Sequence, residues 1–161
     1  MKLLSIDPGL TGSICLYDTD TNEISFCDNE RIKIKDKKTI SDISNIVNFL
    51  KDKTIDKCII ESQHAFPVSG KSACFGLGLS YGIYLGVLHT LNIPYITVSP
   101  QKWTKHYNIN KYTKEEGYII ATRLKNDLSS ELKTPRGRII DGRSDALLMV
   151  LYLKDLINNT K

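Results

Sequence analysis

Four acidic residues stand where a folded chain can use them chemically: Asp7, Glu61, Asp141 and Asp145. Asp7 closes a short apolar run and meets Pro8, Gly9 and Gly12, the composition of a tight turn. Glu61 closes the apolar run Cys58-Ile59-Ile60. Asp141 and Asp145 are four residues apart at the start of an apolar-periodic segment. At about 100° per residue, that step returns to within about 40° of its start, so on a helix both carboxylates share a face. Carboxylates brought together at strand ends repel one another, and burial sharpens the repulsion. Hard divalent cations relieve it, and an oxygen-only ligand set suits Mg²⁺, with Mn²⁺ as a substitute. Two such ions about 4 Å apart activate a water and stabilise a leaving oxygen in phosphodiester hydrolysis. No Ser–His or Cys–His pair at a strand end competes with this chemistry.

Each acid also has a plainer use. Asp7 suits the first position of a turn, Glu61 a solvated strand end and Asp141 a helix N-cap. Asp145 is harder to explain away, because Ala146, Leu147 and Leu148 follow it directly. The joint placement of the four carries the metal reading.

The elements that must position them follow from hydrophobic periodicity and turn residues. Residues 2–7 and 13–18 read as strands, and a third strand covers about 23–34, giving an antiparallel meander. Ile40, Ile43, Val47 and Leu50 fall at helical spacing after a cap at Thr39. Residues 57–61 read as a buried strand, and 71–91 as a long helix behind a Pro/Gly loop. A strand at 94–98 leads into a short helix opened by Ser99-Pro100, with Trp103 as its core anchor. Thr113 and Glu116 form a capping box for a helix of about 114–128. A polar loop over 129–140 precedes a last helix over 141–157. This order predicts an α/β fold with a mixed five-stranded sheet: a three-stranded antiparallel meander plus two parallel strands, with helices on both faces.

Composition limits the alternatives. The chain has 161 residues, 41% hydrophobic and 25% charged, which favours a single domain, 1–161. A net charge of +4 permits a nucleic-acid partner without requiring one. Cys15, Cys27, Cys58 and Cys74 show neither zinc spacing nor a disulfide framework, and free thiols fit a reducing compartment. The apolar start is too short for a signal peptide. Ala73 to Leu91 lacks formal charge, and Gly78, Gly82 and Gly86 repeat every fourth residue, a spacing also found in transmembrane helices. A buried helix whose glycine face admits a neighbouring backbone explains the run without a membrane. Lys133, Arg136, Arg138 and Arg143 crowd the approach to Asp141 and Asp145, where cations either hold phosphates or only solvate a loop.

IDPGLTG (6–12) opening a meander, IIES (59–62) closing a strand and DGRSDALLMV (141–150) opening a helix together resemble the RuvC family of Holliday-junction resolvases. GLGLSYGIYLGVL and VSPQKW resemble that family's glycine-marked helix and the strand and short helix after it. The resemblance spans nearly the whole chain. It implies a ribonuclease-H-like fold and a homodimeric, Mg²⁺-dependent endonuclease that nicks four-way DNA junctions symmetrically. It assigns metal ligation to Asp7, Glu61 and Asp145, and implies help from Lys102, Lys105 or Lys114. It also implies an aromatic near the second acid that enters the junction, Phe66 with His64 as alternative; Lys71 joins the expected DNA contacts. The expected compartment is the cytoplasm of a bacterial or phage-infected cell.

One departure stands out. The family's late acids are often three residues apart, and that step from Asp145 lands on Gly142, which offers no ligand; Asp141 is the residue within reach. Within the same superfamily, a nuclease for RNA–DNA hybrids or flaps and a catalytically inactive branched-DNA-binding module remain alternatives. The two-domain actin-like ATPases and sugar kinases share a DxG turn but need a second phosphate loop, absent here.

Overall fold

Consecutive residues of the first strand, Leu3 to Ile6, are all buried, so both faces of the sheet must be covered, and this arrangement brings the acids together. The computed structural model describes residues 1–33, 39–64, 70–109 and 113–159. In chain order the elements are β1 (Lys2–Ile6), β2 (Ser13–Asp18), β3 (Ile24–Asp28), β4 (Arg31–Lys33), β5 (Thr39–Ser41) and α1 (Ile43–Leu50). There follow β6 (Lys57–Glu61), α2 (Lys71–Thr90), β7 (Tyr95–Val98), α3 (Pro100–His106), α4 (Lys114–Leu124) and α5 (Asp141–Asn158). The main sheet has the order β3-β2-β1-β6-β7. β1 pairs antiparallel with β2 and parallel with β6; β2 pairs antiparallel with β3, and β6 parallel with β7. This is the expected mixed sheet.

Two hydrophobic cores flank it. Leu3, Cys15, Tyr17 and Ile59 face α5, with Trp103, Ala121, Ala146, Met149 and Val150 buried around them. Leu4, Ile6, Ile14 and Ile60 face the other way, against Ile46 and Leu50 of α1 and Tyr84 and Leu88 of α2. Because side chains alternate along a strand, the residues after Ile6 and Ile60 turn back toward α5. Asp7 and Glu61 therefore belong to the α5 face.

Several elements differ from the sequence reading. The third strand ends at Asp28, short of residue 34, because Asn29 is captured by the Asp7–Gly12 turn: its N–H donates to Gly12 O at 2.9 Å and its amide to Gly9 O at 2.9 Å. Beyond it, β4 pairs with β5 in a separate two-stranded sheet, so Thr39 lies in a strand. The cap of α1 is Asp42, whose carboxylate accepts from the backbone N–H groups of Ser44 and Asn45. α4 ends at Leu124, and a single 3₁₀ turn covers Asn126–Leu128. Residues 133–139 form a small hairpin closed by a Lys133–Ile139 bridge, with Gly137 at φ +81° in its tip.

The long helix also departs from expectation. α2 is long and apolar enough to cross a membrane by length and composition. It nevertheless connects two strands of one sheet, and its Ser80, Tyr84, Val87 and Leu88 are buried. Its glycine face is not covered by another backbone: a Cβ at Gly78, Gly82 or Gly86 would meet nothing within 4 Å.

The glycines that do need their bareness lie elsewhere. A Cβ on Gly142 would sit 2.3 Å from Thr11 O, and one on Gly12 would sit 2.0 Å from Asp7 O. Gly142→Ala is therefore expected to destabilise the fold by about 1–3 kcal/mol, as other overpacked sites do. Gly76→Ala, where a Cβ meets nothing, should stabilise it by up to about 1 kcal/mol through helix propensity. Thermal melts of both variants check this; equal melting shifts would contradict the close approach.

Candidate metal centre

Each acid is placed by a different element. The β1–β6 register pairs Ile6 with Ile60, and its next rung sets Asp7 level with Glu61. Asp7 starts the turn and accepts from Gly9 N–H at 2.9 Å through Oδ1, a bond that aims its carboxylate. Glu61 accepts from Trp103 Nε1 at 2.9 Å and, more loosely, from Gln63 Nε2 at 3.4 Å. Asp145 projects from the second turn of α5, whose start is fixed at three points. Gly142 lies against the Thr11–Gly12 backbone, and Ser5 Oγ donates to Ala146 O. Arg143 grips both Asp28 oxygens at 2.8 Å and donates to Glu131 O at 2.7 Å.

Glu61 and Asp145 line one cleft of about 410 Å³ with Gln101, Trp103 and Ile109. Burial is the main cause that lifts all three inner carboxyls above their ordinary values. Asp7 rises to about 6, opposed by its Gly9 bond and aided by the charge of Asp141. Glu61 rises to about 7, opposed by its Trp103 bond and aided by Asp7. Asp145 rises to about 8, with both Asp7 and Glu61 adding to the burial effect. Because Asp7 acts on Glu61 and both act on Asp145, the three acids occupy one electrostatic site.

Asp141 stands apart from them. It is the first residue of α5, is not a side-chain cap, and pairs with Lys114 Nζ at 2.6 Å. The pair lies at the mouth of a neighbouring cleft lined by Thr11, Arg138 and Ile140. The four-residue spacing has a physical reason: the position three before Asp145 is Gly142, and no side chain fits there.

The donor set suits a hard divalent cation, being carboxylate oxygens alone, buried enough to hold protons near neutral pH. Among the described residues no three His, Cys, Asp or Glu side chains are grouped so as to hold a metal ion as they stand. A closed cage is not required by Mg²⁺, which keeps several waters and uses one or two carboxylates at a time.

The predicted basic residues separate into two groups. Lys114 is committed to Asp141, Arg143 to Asp28, and Lys133 stacks over the Tyr118 ring at 4.3 Å. Arg143, expected as a DNA contact, has its guanidinium engaged by Asp28 and the Glu131 carbonyl. Arg136 and Arg138 are exposed at the 133–139 hairpin tip, and Lys71, Lys102 and Lys105 are exposed on α2 and α3. His64 is exposed, with Nε2 3.4 Å from Ser62 Oγ. Phe66 lies outside the described residues. Sequence reasoning missed the second role of Trp103, a buried anchor that also bonds Glu61. The available signal was topological, since the helix after β7 must start beside the end of β6.

The chain's architecture matches that of solved structures. A solved structure of RuvC from Thermus thermophilus superposes with a TM-score of 0.57 at 14% identity, covering 94% of this chain and 92% of that one. The structure of T. thermophilus RuvC in complex with a Holliday junction substrate gives 0.56 at 12% identity, covering 94% and 91%. These likenesses establish the ribonuclease-H-like fold. No protein-family model matches the sequence, and no curated protein matches it.

The raised carboxyls carry a pH signature. Unfolded Asp and Glu ionise near 4, so between about 4 and about 8 the folded, metal-free protein holds more protons than the unfolded chain. Stability must then fall as pH rises through that window and level off above it. Melting temperature measured from pH 5 to 9 in EDTA should decline, and Asp145→Asn should flatten the decline and melt higher at pH 8.5. A flat wild-type profile would contradict the buried carboxylate cluster.

Proposed function

We propose that this protein is a divalent-metal-dependent endonuclease acting on branched DNA, with four-way junctions as its substrate. The observation that carries the reading is the convergence of Asp7, Glu61 and Asp145 on one face of the sheet, where the charge of Asp7 acts on both other acids and that of Glu61 on Asp145. These three are the proposed ligands for two Mg²⁺ ions, with Mn²⁺ as a substitute. Bound there, the ions supply an activated water and stabilise the leaving oxygen of a phosphodiester. Asp141, the fourth proposed ligand, is held by Lys114 and lies within electrostatic reach of Asp7. Release of Lys114 to a substrate phosphate would free Asp141 for the metal.

DNA phosphates are assigned to Arg136 and Arg138 at the hairpin tip, with Lys71, Lys102 and Lys105 as further contacts. The hairpin's Arg138 lines the cleft that Asp141 and Lys114 share, which puts cationic charge beside the proposed metal ligands. The RuvC–junction complex is the solved precedent for a four-way substrate on this fold.

Symmetric nicking needs two active sites, so a homodimer belongs to the proposal. The outer face of α2 supports it. Phe75 is 71% exposed and Leu79 40%, the glycine positions are open, and no charged side chain occurs between Ser72 and Thr90. A second copy can meet that face without like-charge repulsion. Cysteines spaced without a disulfide framework support a reducing cytoplasm.

Cleavage of a labelled four-way junction, beside linear duplex, flap and RNA–DNA hybrid, tests the reading. Paired symmetric nicks are expected in Mg²⁺ and none in EDTA. Asp145→Asn should slow cutting by at least about 100-fold, since even groups that only support a ligand are worth 10–100-fold. Cutting of the hybrid alone, or tight junction binding with no cutting in Mg²⁺ or Mn²⁺, would replace the proposal with a hybrid nuclease or a binding module. The Arg136→Ala/Arg138→Ala double variant should lower the slope of log affinity against log salt by about 1.4–1.8, two phosphate contacts' worth; an unchanged slope would remove the hairpin from the interface.

A further inference from the structure

We infer that Trp103 is a positioning residue for the metal centre: its indole N–H fixes the rotamer of Glu61 and leaves one carboxylate oxygen for the ion. The inference rests on the metal reading proposed above and adds a residue which that reading does not require.

The indole is held rigidly. Trp103 is 2% exposed and packs in the core beneath α5. Its short helix is tied to α5 by Tyr107, whose hydroxyl donates to Leu148 O at 2.7 Å, and Thr104 Oγ1 donates back to Pro100 O at 2.8 Å. The ring therefore cannot follow Glu61 if that side chain moves; Glu61 must come to the ring. An indole N–H only donates, so its partner has to be an acceptor, and the ionised carboxylate is the better one. The bond at 2.9 Å occupies Oε1. Among the described residues, Oε2 has only a long 3.4 Å contact with Gln63 Nε2, which makes it the oxygen available to a cation. Trp103 also lines the cleft shared by Glu61 and Asp145, so it borders the space an ion would enter. Glu carries more rotamer freedom than Asp, and freezing it before the ion arrives removes an ordering penalty from binding.

Trp103→Phe keeps a buried ring and deletes the donor. Calorimetric titration of Mn²⁺ into the full chain should show about 10-fold or more loss of affinity in this variant, the range for groups that orient metal ligands. A control, Leu153→Val, thins the same core away from Glu61 and should leave Mn²⁺ affinity unchanged. Trp103 is the single tryptophan, so Mg²⁺ should also shift the protein's indole emission in the wild type and not in Glu61→Gln. That second measurement decides the matter if Trp103→Phe does not fold. Equal Mn²⁺ affinity in folded Trp103→Phe would overturn the positioning role while leaving the metal reading intact. So would Mg²⁺ binding that leaves the emission unmoved. Absence of Mn²⁺ binding in the wild type would overturn both together.

Discussion

The structure depends on one close contact between backbones. The first turn of α5 lies against the Asp7–Gly12 turn with no space for a side chain at Gly142, and the turn itself closes with none at Gly12. Distances of 2.3 Å and 2.0 Å from the would-be Cβ atoms to carbonyl oxygens make glycine obligatory at both places. Any thicker residue would lift α5 off the sheet and carry Asp145 away from Asp7 and Glu61. Ser5, Arg143 and Asn29 then secure what the glycines permit: Ser5 binds α5 to β1, Arg143 binds α5 to β3, and Asn29 binds β3's end to the turn. The acids are held by a scaffold that converges on their corner from three strands and a helix.

That corner opposes the rest of the fold energetically. Two carboxyls at the ends of adjacent strands and a third on α5 have raised affinities for protons, because burial disfavours their charged forms. The protein neutralises its other charged groups near the site with internal partners. Asp28 takes Arg143, and Asp141 takes Lys114. Asp7 and Glu61 are met instead by neutral donors, the Gly9 N–H and the Trp103 indole. A polar corner arranged in this way is suited to a cation from outside.

Much of this was legible in the residues themselves. Asp7 and Glu61 were readable because apolar runs end at them, and strand alternation puts both on one face. Asp141 and Asp145 were readable from helical spacing, and the α/β order from the alternation of elements late in the chain. The misreadings share a cause: they turn on partners distant in sequence. Arg143 looks like a free cation until Asp28 arrives from the end of β3. The stretch after Asp28 looks like continued strand until the Asp7 turn captures Asn29. The glycines of α2 and Gly142 cannot be told apart by composition; only the three-dimensional neighbourhood shows that the first are open and the second is obligatory. The α1 cap was a local competition, won by Asp42 because Thr39 is taken by the pairing of β5 with β4.

The most direct test of the central claim is anomalous diffraction from crystals grown with Mn²⁺ at pH 8. The account predicts manganese peaks bounded by the carboxylates of Asp7, Glu61 and Asp145. Manganese elsewhere on the surface with none in that corner would contradict it.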